Sequence, residues 1–113
     1  LMVAHRAGAA GDALALVTGR EPISELPGQD DAVVFRAMPS DYAFAVLDLK
    51  TLNAVQELIQ LSRAEREVYL HLNGPELRVV CEGMPGREDI ARMLDKAAVV
   101  SARLRFLARQ QGR

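Results

Sequence analysis

The chain has a single cysteine, Cys81, and only 4% aromatic residues. One thiol excludes a disulfide framework and a cysteine-based zinc site, and it fits a reducing compartment. An excess of charge of one sign is also missing: 14 basic residues face 15 acidic ones, for a formal net charge of −1. That balance provides no long-range attraction to nucleic acid or to an acidic membrane. Long apolar runs are absent too. The longest is Tyr42 to Leu47, whereas a membrane helix needs about 18 residues. No basic segment followed by an apolar one marks a signal peptide.

What is present suits a globular chain: 113 residues, 50% hydrophobic and 26% charged, close to ordinary usage. A chain of this length should bury roughly 65% of its unfolded surface around one core. One α+β domain over residues 1–113 is the economical reading. Residues 1–30 are its least definite part and are also readable as the end of a longer upstream region. The opening Leu1-Met2 suggests a piece of a longer chain. Arginine outnumbers lysine twelve to two, the composition of a GC-rich bacterial genome.

Residues 1–11 begin apolar, with a further short strand admissible near Val3, and become small around Gly8 and Gly11. Ala13 to Thr18 reads as a strand, Arg20 to Asp31 as a loop with Pro27-Gly28, and Ala32 to Ala37 as a β-branched strand. Ser40-Asp41 suits a helix N-terminus, and Tyr42 to Leu47 fits either a strand or a short helix. Leu52, Val55, Ile59 and Ser62 recur at helical spacing, so the pattern predicts an amphipathic helix over about 49–61.

Glu67 to Leu72 and Leu77 to Glu82 alternate on either side of Asn73-Gly74, a strong hairpin signal. Pairing Leu72 with Leu77 sets Leu70 against Val79 and Val68 against Cys81, all on one apolar face. Tyr69, His71, Arg78 and Val80 fall on the other. Glu67 then faces Glu82, and like charges in opposition should loosen that end. From Arg87 to Gln110 the chain reads as a long helix with Glu88 and Asp89 at its start and arginines at its end, both matched to the helix dipole. Met93, Ala97, Val100, Leu104 and Leu107 form its apolar stripe, with Ile90 and Leu94 beside it. The expected fold is a small antiparallel sheet in β-β-α-β-β-α order, with two main helices on one face and a long C-terminal helix.

The succession from Asp31 onward, VVFRA, then DYAFAVLDLKTLNAVQELIQL, VYLHLNGPELRVVCEG and REDIARMLDKAAVVSARL, is similar to the C-terminal α+β region of a bacterial domain-of-unknown-function family. Members of that family often carry membrane-spanning segments ahead of this region. The resemblance covers roughly Asp31 to Leu104. It implies a membrane-associated accessory domain without known chemistry, cytoplasmic and placed at the cytoplasmic face of the membrane. No functional residues are defined in the family, so none carries over. This chain departs from it in having no membrane segment.

Candidate chemistry is sparse. Cys81 alternates with Leu77 and Val79 and reads as an inert core thiol rather than a nucleophile. His71 sits across from Arg78, a cation that would lower its pKa, with no carboxylate to orient it as a base. His5 lies in an N-terminal segment without an anchoring pattern, and His5, His71 and Cys81 do not have ligand spacing. Asp30-Asp31 lacks the further oxygen ligands and glycine of a calcium loop. Gly8 to Gly11 lacks the lysine of a phosphate loop. Ser24, Ser40, Ser62 and Ser101 have no triad partners in view. These absences predict no cofactor and no metal.

The one biased stretch is Ser101 to Arg113, with four arginines and no acid. Phe106 lies off the main stripe, on a second line with Val99 and Ala102. Three readings stay open: dipole-matched arginines at the end of a core helix, a second apolar line that docks a partner, or contact with phosphates of lipid or nucleic acid. Low aromatic content and neutral charge weigh against nucleic acid. The leading expectation is a non-enzymatic accessory or protein-interaction domain, docking a protein partner or itself through Phe106, Arg103, Arg105 and Arg109. The alternative is a small-ligand binder or enzyme with a loop-assembled site drawn from Glu25, Asp30, Asp31, Asp41 and His71.

Overall fold

The hairpin alternation sets the register of the sheet. In a computed structural model that describes residues 2–7, 22–23, 26–37, 40–62, 67–73, 76–83 and 85–111, β4 (Val68–Asn73) and β5 (Glu76–Cys81) pair antiparallel. Leu72 faces Leu77, Leu70 faces Val79 and Val68 faces Cys81, as the alternation predicts. The expected strand over Ala13 to Thr18 lies outside the described residues.

The N-terminal segment is anchored, contrary to the expectation for His5. β1 (Met2–Arg6) is the central strand, antiparallel to both β3 (Val33–Ala37) and β4. Pro22–Ile23, expected within a loop, forms the short strand β2 on β3. The spatial order is β2-β3-β1-β4-β5, a five-stranded antiparallel sheet. His5 is fully buried because its strand has a neighbour on each side.

The segment that fitted either a strand or a helix is helical. α1 spans Ser40–Val46 and α2 spans Leu49–Ile59. The two are separate because Asp48 is extended and its Oδ1 accepts the Thr51 amide hydrogen at 2.9 Å, an N-cap that restarts the helix. α2 ends before Ser62, whose side chain serves β4 instead. Its Oγ accepts the Val68 amide hydrogen at 3.0 Å, beyond the last β1–β4 pair, Ala4 with Leu70. α3 runs Arg87–Gln111.

The three helices of the described residues contribute to the core on one sheet face. Met2, Ala4, Phe35, Leu70 and Leu72 pack against Val46, Leu52, Val55, Leu58, Met93 and Val100. Burying each large apolar side chain contributes roughly 1.5–3 kcal/mol. Truncating Leu70, in mid-sheet and fully buried, would cost about 2–5 kcal/mol.

Two local expectations change. The open end of the hairpin is closed: the Glu82 N–H donates to the Glu67 carbonyl at 2.9 Å. The Glu67 carboxylate pairs with Arg6, whose Nε is 3.3 Å from Oε2, while Glu82 accepts from the Tyr69 hydroxyl. The two like charges are thus drawn to different partners. Along α3, the inward stripe holds, but Ile90 and Leu94 are exposed, at 43% and 66%. Lys96 and Arg103 turn toward α2 and α1, which leaves Ile90 and Leu94 on the flank pointing away from them.

Candidate interaction surface

Arg103 is held against the end of α1. Its Nη2 donates to the Ala45 carbonyl at 2.7 Å and its Nε to the Val46 carbonyl at 3.2 Å. Those carbonyls lie in the last turn of α1; the Val46 oxygen also accepts from the Asp48 N–H at 3.1 Å, and the guanidinium adds a C-cap supplied from α3. The same group lies 3.8 Å from Asp48 Oδ2 and 5.4 Å from the centroid of the Phe106 ring. The Asp48 carboxyl is held below its ordinary range first by the hydrogen bonds from Thr51, then by Arg103 and Lys50.

Phe106 remains 47% exposed beneath this anchored guanidinium. With Val99, Ala102 and Arg103 it forms one wall of a groove of about 330 Å³. Asp48, Lys50 and Thr51, at the start of α2, form the other wall. Arg105 and Arg109 are exposed on the same helix. The four expected residues are therefore divided: Arg103 is held against α1, Phe106 is a half-exposed ring in the groove, and Arg105 and Arg109 are exposed on the same helix outside its lining. Lys50 and Thr51 were not among the expected contributors, although the Asp48-x-x-Thr51 capping spacing was available in the sequence.

The residues proposed for a loop-assembled polar site do not converge. Asp30 serves the fold: its N–H donates to Gln56 Oε1 at 2.5 Å, and its carboxylate accepts from the Ala32 N–H at 2.8 Å and from Gln60 Nε2 at 3.3 Å. That places Asp30 on α2, on the core side of the sheet. His71 is on the opposite face, paired with Arg78. Asp41 is exposed in the first turn of α1. Glu25 lies outside the described residues. Burial, and then Arg78, lower the His71 pKa. His71 and Arg78 with Asn73 and Glu76 line a hollow of about 120 Å³, and Glu76 is already paired with Arg78 at 2.8 Å.

Cys81 is half-buried rather than fully buried, because β5 is a sheet edge. It packs against the core and lies on the face opposite His71. Among the described residues, no three His, Cys, Asp or Glu side chains are grouped to hold a metal ion. No helix among them is long and apolar enough to cross a membrane.

Among the described residues, the fold and this surface define an α+β domain, a five-stranded antiparallel sheet under three helices with an aromatic-lined groove between two of them. No protein-family model, curated protein or solved structure matches the chain.

Proposed function

We propose that the chain is a non-enzymatic protein-interaction domain that docks an acidic partner segment along its C-terminal helix. The observation that carries this is Phe106. Its ring lies 5.4 Å from the anchored Arg103 guanidinium and still presents 47% of its surface. An ordered aromatic at the mouth of a groove is the usual anchor of a protein interface. Arg109 lies one turn on from it, Arg105 is exposed on the same helix, and neither has a carboxylate partner among the described residues. Lys50 lies on the opposite wall. The complementary ligand is a segment with Asp or Glu around one apolar side chain. In this reading the domain is an accessory part of a membrane-associated bacterial protein, at the cytoplasmic face, as the resemblance over Asp31 to Leu104 implies.

Random peptides displayed on phage and panned on the chain test the reading. Enrichment of acidic sequences with one apolar residue, lost with Phe106→Glu and weakened by Arg109→Glu, supports it. No enrichment, or enrichment unaffected by Phe106→Glu, overturns it. Salt-sensitive binding to phosphatidylglycerol vesicles without peptide binding overturns it in favour of a lipid surface.

A further inference from the structure

β5 ends the sheet, and the direction of its backbone groups follows from one hydrogen bond. The Glu82 N–H points to Glu67 on the β4 side. Alternation along an antiparallel strand then turns the N–H and C=O of Val80 and Arg78 toward β4 as well. Those of Leu77, Val79 and Cys81 point outward, and none of them has a hydrogen-bond partner among the described residues. The side chains of the same three residues are apolar and only half-buried, at the margin of the core. Neither proline nor lysine interrupts Glu76–Cys81, and its charges, Glu76 and Arg78, lie on the face away from the core.

A second apolar feature belongs to the same side of the molecule. α3 packs on α2 and reaches β5. Its flank away from α2 carries Ile90 and Leu94, at 43% and 66% exposure, in the first turns of the helix that follows the open strand. An extended peptide would fill the edge but leave that flank bare. An occupant that brings both a strand and an apolar helix flank satisfies both, and a second copy of this chain brings them by symmetry.

We infer that two copies pair through β5 about a two-fold axis, forming a ten-stranded antiparallel sheet with the two α3 helices side by side. Charge and hydrogen bonding together select the register. An axis at Arg78 opposes two arginines, and one at Val79 opposes Glu76 to Glu82. One at Leu77 sets Glu76 against Arg78 but leaves Leu77 with Leu77 as the single hydrogen-bonded pair within the strand. An axis at Val80 sets Arg78 of each copy against Glu82 of the other, with Val79 and Cys81 exchanging main-chain hydrogen bonds. Glu82 accepts from Tyr69 within its own copy and keeps acceptor sites for the second arginine. This interface is distinct from the Phe106 groove.

Sedimentation equilibrium of the chain tests the inference. The expected mass is twice the 12.4 kDa of one chain. Arg78→Glu and Glu82→Arg should each weaken the dimer about tenfold or more, and the double exchange should restore it. In a Cys81→Ser background, Val80→Cys should give a disulfide-linked dimer with oxidised glutathione, because opposed residues at a non-hydrogen-bonded position lie about 4.5 Å apart. Far-UV circular dichroism verifies that each variant is folded. A chain monomeric at millimolar concentration overturns the inference and leaves the groove reading intact. So does a dimer that survives both single charge reversals but dissociates with Phe106→Glu.

Discussion

Ser62 Oγ accepts the Val68 amide hydrogen at 3.0 Å, at the point where pairing between β1 and β4 has ended. Both residues are buried, so no water replaces the hydroxyl at low cost. Ser62→Ala should destabilise the fold by about 1–3 kcal/mol, the penalty for a buried unsatisfied donor. Ser62→Thr keeps the oxygen and should cost less. Urea unfolding followed by circular dichroism measures both, and equal losses would mean that packing rather than the hydrogen bond is at stake.

Arg103 joins the end of α1 to the C-terminal part of α3. Lysine has one ammonium in place of a planar fork and cannot reach the Ala45 and Val46 carbonyls together while facing the Phe106 ring. Arg103→Lys should therefore lower stability by about 1 kcal/mol, and Arg103→Ala by about 2 kcal/mol. The Phe106 ring proton shifts should move in both variants, whereas Arg105→Ala should leave stability and shifts nearly unchanged. Thermal unfolding and NMR separate these outcomes.

The chain has two tyrosines, and both phenols are pushed upward. Burial raises Tyr42, and the hydrogen bond to Glu82 raises Tyr69 to about 12. Absorbance titration at alkaline pH should show neither ionising at the ordinary value near 10. Glu82→Gln should bring one of them back toward it. Since the folded phenol holds its proton more tightly, its contribution to stability is present below pH of about 10 and is lost as pH rises through about 12.

His71 titrates in the opposite sense. Burial and Arg78 favour its neutral form and lower its pKa. Its contribution to stability is complete above the ordinary histidine value of about 6.5 and is lost as pH falls from there through the lowered folded value. Arg78→Ala should raise the His71 pKa by NMR and recover part of the acid stability. An unchanged titration would leave burial as the whole cause.

The hairpin and the helices were legible in the sequence because each depends on neighbours in the chain. Alternation around Asn73 fixed the pairing of Leu72 with Leu77, and helical spacing from Leu52 to Ile59 located α2. The place of β1 was not legible. Five residues with a histidine and an arginine carry little pattern, and strand order is decided by distant partners. Arg103 was misread for a related reason. A basic residue near a helix C-terminus is explained by the dipole of its own helix, whereas its carbonyl partners belong to another helix. Half of the candidate surface, Phe106 with Arg105 and Arg109, was visible as a second line on α3. Helical spacing placed the start of α2 near residue 49, but the Asp48 cap and the packing of that start against α3 were not read.

The central position of β1 also bears on how the molecule assembles. During synthesis β1 emerges first, and β3 can join it early, but its other neighbour arrives only after both inner helices. Until then one side of the strand is without its ladder, and Met2 and Ala4 lack the Leu70 and Leu72 side of their packing. Such distant pairing slows folding and prolongs the exposure of apolar surface. The nascent chain should therefore be a client of chaperones until the hairpin has cleared the ribosome.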